Sequence, residues 1–180
     1  MFMVTPVEAK RFSAAFDTEL KKLRVEAAQA YKGFATAAFN YILRETPQWT
    51  GNAVSNWNFD LGTATYHVDT KWADEDTGAQ VFSKLQPNTT AMSEAATRSL
   101  PSYHRITLTS HVFINNASID VDGESYIALL EENTGAYLRK ENEPGHMVAN
   151  CVTRFSALPS EALRLLAAVK PGDYNNKGLA

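Results

Sequence analysis

The stretch TPQWTGNAVSNW, Thr46 to Trp57, separates two kinds of periodicity and so decides how the chain is built. Pro47 pushes Thr46 out of the helical region, Gly51 frees the backbone to turn, and the side chains of Thr50 and Asn52 can bond neighbouring amides. A helix therefore ends and a strand begins within it. Trp49 and Trp57 bracket the turn, and aromatic rings of this size pin a loop to a core. With no chemistry attached, the stretch reads as a well-packed turn.

Before this junction, Phe12, Phe16, Leu20, Leu23, Ala27, Ala30, Phe34, Ala38 and Tyr41 recur at steps of three or four. This spacing predicts one apolar face of a helix from about Val7 to Arg44. Thr5 suits its cap and Pro6 its first turn, while Asp17, Glu19, Lys21, Lys22 and Arg24 fall on faces that can stay in water. Gly33 is its weak point, costing about 1 kcal/mol relative to Ala and marking a bend or a close helix contact. A helix this long spans roughly 55–60 Å, whereas a compact domain of this chain length is about 40 Å across. Either the helix breaks near Gly33, or one end projects and finds apolar cover on a neighbouring subunit.

After the junction, Trp57, Phe59, Leu61 and then Tyr66, Val68 alternate, predicting a hairpin turning near Gly62. Residues 87–100 have helical composition with Pro87 at the front, and the β-branched run from Tyr103 to Asn115 predicts a central strand. A short helix is expected from Ser125 to about Glu132. Another is expected from His146 to about Ala157, with Met147, Val148, Cys151, Val152 and Phe155 inward. Pro159 and Ser160 introduce a last helix ending near Lys170. The expected fold is α+β: a long N-terminal helix on a small, mainly antiparallel sheet, with an intermediate and a C-terminal helix. The expected organisation is a single domain over residues 1–170 and a flexible tail at 171–180.

The 180 residues carry 17 Lys and Arg against 20 Asp and Glu, a formal charge of −3 with no basic run, which disfavours gripping nucleic-acid phosphates. No segment approaches the roughly 20 apolar residues of a membrane span, and the first ten residues lack the architecture of a signal peptide, so a soluble, unexported protein is expected. Cys151 is the single cysteine, which excludes an intrachain disulfide and points to a small buried hydrophobe.

Motifs for chemistry are weak. Asp120 to Gly123 resembles the middle of a calcium loop, but Ser118 and Leu129 stand where its first and last ligands belong. Asp74, Glu75 and Asp76 read as a solvated loop, and His67, His104, His111 and His146 show no metal-ligand spacing. No nucleophile elbow or phosphate-cradling loop occurs, and no cofactor is expected. Glu131 and Glu132 end a short apolar helix, where its dipole opposes them by about 0.3–1 kcal/mol each, so an Arg of this chain or of a neighbour is their expected partner.

Three segments in order resemble the small neck and tail-completion proteins that join heads to tails in tailed bacteriophages. TPQWTGNAVSNW is similar to that family's junction, VFINNASIDVDGESYIALLEENTG to its later block, and EPGHMVANCVTRF to its closing block. Together they cover about half of the chain. Departures are Trp49, where an acidic residue commonly stands, the missing basic residue at 52–54, the inserted SIDVDGE, and the lengthened loop RKENEPGH. The resemblance implies a structural virion protein at the head-to-tail joint, assembled in the host cytoplasm. It implies a homo-oligomeric ring, a hexamer or dodecamer, meeting other neck, portal-adaptor or tail proteins, with DNA passing through without sequence-specific binding. Phe12, Phe16 and Gly33 on the long helix are its oligomer candidates. Trp49, Thr50, Gly51 and Trp57 at the junction, and Glu131, Glu132, Gly135 and Arg139 in the later loops, are its docking candidates.

Two other classes compete. A small hydrolase using Glu131, Asp120 or His104 requires a pocket with a perturbed carboxylate or histidine. A monomeric regulatory or immunity-type binding protein requires one apolar docking patch.

Overall fold

A computed structural model of the chain describes residues 5–46, 50–72, 87–118, 125, 127–128, 146–156 and 166–173. The fold is α+β, with a long N-terminal helix, a small antiparallel sheet and further helices. Helix α1 runs unbroken over Pro6–Glu45, 40 residues, or about 60 Å at 1.5 Å per residue. Its start is a reciprocal cap: the Thr5 hydroxyl accepts from the Glu8 amide at 3.3 Å, and the Glu8 carboxylate accepts from the Thr5 amide at 2.9 Å. The Thr5 hydroxyl also donates to that carboxylate, and these bonds hold the Glu8 carboxyl below its ordinary range.

Of the two ways to accommodate so long a helix, the break is not taken and one end projects. Nothing breaks at Gly33; instead the buried positions of α1 run only from Gly33 to Leu43, and the first turns stand clear of the body. Gly33 marks a close crossing. A Cβ there would lie 1.7 Å from the Leu166 carbonyl oxygen and 2.9 Å from the Ala167 nitrogen, so the 166–167 backbone passes where a side chain would stand. Beyond it, Phe34 meets Phe155 edge-on at 5.6 Å, Tyr41 meets the same ring at 5.9 Å, and Phe39 packs on Phe59 at 5.2 Å.

Past the junction, a single turn α2 (Asn52–Ser55) leads into β1 (Trp57–Leu61). Helix α3 (Thr89–His104) follows, capped by the Asn88 side chain, which accepts from the Ala91 amide at 3.0 Å. Strand β2 (Val112–Asn116) pairs antiparallel with β1, Phe59 opposite Ile114 and Trp57 opposite Asn116, in a sheet of two strands among the described residues. Helix α4 (Met147–Ser156) packs on α1, while α3 lies against β1, α2 and α1.

The structure corrects three expectations. No hairpin forms at Gly62: residues 64–70 are not a strand, and β1 takes its partner from more than fifty residues downstream. The reason is side-chain competition. The Asn56 amide donates to the Asp69 carbonyl at 3.2 Å and its oxygen accepts from the Asp69 amide at 2.6 Å, while Asn58 donates to the His67 carbonyl at 3.2 Å. These bonds take the place of a ladder. Further along, the Lys71 ammonium at 2.5 Å and the Trp72 indole at 3.0 Å both donate to Glu94, tying the segment to α3 and lowering the Glu94 pKa, chiefly through the lysine.

The predicted strand from Tyr103 is likewise shortened. Tyr103 and His104 close α3, a turn follows, and only 112–116 is extended, with no central place in a two-stranded sheet. In α4, Met147, Cys151 and Phe155 are buried but Val148 and Val152 are exposed, because the helix turns one stripe, at steps of four, towards α1. Of the helix expected at 125–132, residues 125 and 127–128 are described: Ser125 is exposed and forms a strand-type bridge rather than helix, and 127–128 are helical with Ile127 buried. Of the helix expected after Pro159, only its end is described, with Leu166 buried. The start of the expected tail is tied down: the Gly172 amide donates to the Asn40 side-chain oxygen at 3.2 Å, and the Asn40 amide group donates to the Lys170 carbonyl at 2.9 Å.

Candidate functional site

The free half of α1 is the most distinctive surface of the chain. Phe12 is 73 % exposed, Phe16 57 % and Leu23 61 %, whereas the residues that continue the same face beyond Gly33 are covered. Phe12 and Phe16 stack on each other with ring centroids 6.3 Å apart, so two aromatics form one apolar step. Single exposed hydrophobes are ordinary, but a row of them on one helix face is what a docking surface presents. Glu19 and Lys22 pair at 2.7 Å beside the row, both well exposed, and a bond so wet holds the helix only weakly.

The junction residues have a different place. Thr50, Gly51 and Trp57 are buried within the chain. Gly51 adopts φ 103°, left-handed backbone that glycine tolerates, and its α-carbon faces the Asn88 side chain, which would lie 2.4 Å from a Cβ. Asn88 donates to the Thr50 carbonyl at 3.0 Å, and the Thr50 hydroxyl accepts from the Asn52 amide at 3.2 Å. Arg98 of α3 donates to the carbonyls of Ser55 and Trp57, the latter at 3.3 Å, and lies 3.9 Å from Asp69. Burial pulls the Arg98 pKa down while Asp69 pushes it back up. These residues lock the junction and the start of β1 onto α3. Sequence reading passed over Asn88 and Arg98; the signal available was the density of Asn around the junction, at 52, 56 and 58.

A cleft of about 190 Å³ opens between β1 and α3, lined by Asn58, Asp60, Thr65, His67, Arg98 and Ser99 among others. Its Asp60 carboxylate accepts from the Thr65 amide at 2.9 Å and hydroxyl at 2.8 Å, and from Asn115 at 3.4 Å. Carboxylate and guanidinium are thus both turned to holding backbone. His104 sits exposed at the end of α3, its ring edge-on to Tyr103 at 5.2 Å. Trp49, Asp120, Glu131, Glu132, Gly135 and Arg139, and with them the DVDG loop, lie outside the described residues. Among the described residues no group of His, Cys, Asp or Glu is placed to hold a metal ion, and no helix is long and apolar enough to cross a membrane.

Comparison of the chain with known families, curated proteins and solved structures finds no match in any of the three.

Proposed function

We propose that this chain is a structural virion protein of a tailed bacteriophage, a neck or tail-completion subunit that joins head to tail as part of a ring through which DNA passes. The free half of α1 is the observation that supports this most: a row of apolar side chains on a helix projecting from its own body, which an assembly of subunits would cover. The resemblance of three ordered segments adds the location. The acidic balance and lack of a basic run suit a lumen along which DNA must slide. In this reading Phe12 and Phe16 belong to the contact between copies, Gly33 fixes the helix to the body, and the later loops meet the other neck, portal-adaptor or tail proteins.

The test is electron microscopy of lysates from a phage whose copy of this gene is disabled, with purified protein added to one half. DNA-filled heads beside separate finished tails, restored to whole particles on addition, are the expected result. Intact virions without the protein would overturn the proposal.

A further inference from the structure

We infer that the free half of α1 pairs with the same segment of a second copy of this chain, parallel and in register, with Glu19 of each copy facing Arg24 of the partner subunit. The inference rests on the self-association just proposed and gives that contact its orientation.

The free segment, Thr5 to Gln29, is about 37 Å long at 1.5 Å per residue. Along it Ala9, Phe16, Leu23 and Ala30 recur every seven residues, and Ser13, Leu20 and Ala27 fall between them in the alternating three-four spacing of a coiled-coil seam. Seven-residue spacing then fixes the flanks. Phe12, Glu19 and Glu26 lie along one edge of the seam, and Lys10, Asp17 and Arg24 along the other.

These two edges decide what can lie alongside. In a parallel pair an edge residue faces the opposite edge five positions further on. Glu19 then meets Arg24 of the partner subunit, and Phe12 meets Asp17 of the partner subunit, with no like charges opposed. In antiparallel pairs each edge faces its own kind. Centred on Leu20 and Leu23, that arrangement puts Glu19 beside Glu26 of the partner subunit, which offsets the attraction of Asp17 for Arg24 of the partner subunit on the other edge. One heptad towards the N-terminus, Asp17 and Glu19 each meet their own counterparts and Lys10 meets Arg24 of the partner subunit. One heptad the other way, Arg24 and Glu26 each meet their own counterparts, and Phe16 is set against Phe34, which the chain's own Phe155 already covers. Like charges so placed are destabilising. Of these arrangements the parallel, in-register one alone opposes no like charges while setting Glu19 against Arg24 of the partner subunit, and this complementarity of the segment with itself points to a second copy as the occupant.

The test uses the full-length chain. Ala9→Cys, an exposed position in the seam, is oxidised mildly; a parallel pair brings the two introduced thiols together, whereas an antiparallel one centred on Leu20 and Leu23 holds them tens of ångströms apart. The native thiol, Cys151, is buried and does not compete. The expected result is a disulfide-linked dimer. Glu19→Arg or Arg24→Glu alone should weaken self-association several-fold, measured by sedimentation, and the double exchange should restore it. Self-association without the Ala9→Cys bridge, and without rescue by the double exchange, would overturn parallel pairing and leave the joining role standing. A chain that stays monomeric and uncrosslinked at high micromolar concentration would overturn the pairing itself, and the particle-joining test would still decide the proposed function separately.

Discussion

The indole N–H of Trp57 donates to the hydroxyl of Thr46 at 2.8 Å, and the same hydroxyl donates to the Ile42 carbonyl at 2.6 Å. One side chain at the end of α1 thus satisfies a helix carbonyl and anchors the first residue of β1, both Thr46 and Trp57 being buried. Thr46→Val keeps the shape but removes both partners, leaving the indole N–H without an acceptor. The expected cost is about 1–3 kcal/mol, read from the urea midpoint with an unchanged slope. No loss would mean that the junction is held by packing alone.

Gly33→Ala sets two effects of opposite sign against each other. Helix propensity favours alanine by about 1 kcal/mol. The Leu166 carbonyl oxygen, 1.7 Å from the new Cβ, is backbone and cannot swing aside. Overpacking of this kind costs about 1–3 kcal/mol or more, so the variant should be less stable than the parent. A stabilised variant would contradict the crossing of 166–167 over α1.

Cys151 is buried against α1, its sulfur 3.7 Å from the Ala38 carbonyl, and burial pushes its pKa up to about 11 from an ordinary value of 9.0. The folded protein should react with a thiol reagent at mildly alkaline pH only as it unfolds, and at once in urea. Because the folded pKa lies above the unfolded one, the stabilisation is complete below the ordinary thiol range and is lost as pH rises through the folded value. Stability should therefore fall between about pH 9 and 11 on account of this group, and Cys151→Ala should flatten that part of the curve. Rapid labelling of the native protein would show the site to be open.

Much of this fold was legible where the signal is local. The three-four spacing of α1, the Thr5 cap, the helix beginning beside Pro87 and the buried Cys151 all depend on neighbours within a turn or two. What was not legible depends on distant partners. Alternation at Tyr66 and Val68 looks the same in a strand as in a segment bonded by Asn56 and Asn58, and only the long-range pairing of β1 with β2 tells them apart. The run from Tyr103 has strand-forming residues, yet α3, bound to the junction by Asn88 at its start and Arg98 in its second half, carries through Pro101 to His104. Val148 and Val152 fit an amphipathic pattern in composition but lie on the exposed side of α4. The exposed row on α1 was legible as an alternative, and only the unbroken helix chose between bend and projection.

That row carries the central claim, that this chain meets its own copies through the free half of α1 at a head-to-tail joint. The most direct test is a Phe12→Ser, Phe16→Ser variant added to lysates of a phage lacking the gene. Both positions are exposed, so folding stability should change by no more than about 0.5 kcal/mol, checked by urea unfolding. The account predicts that the wild-type protein self-associates and restores whole particles, while the folded variant stays monomeric and leaves heads and tails apart. A variant that joins particles as well as the wild type would contradict it.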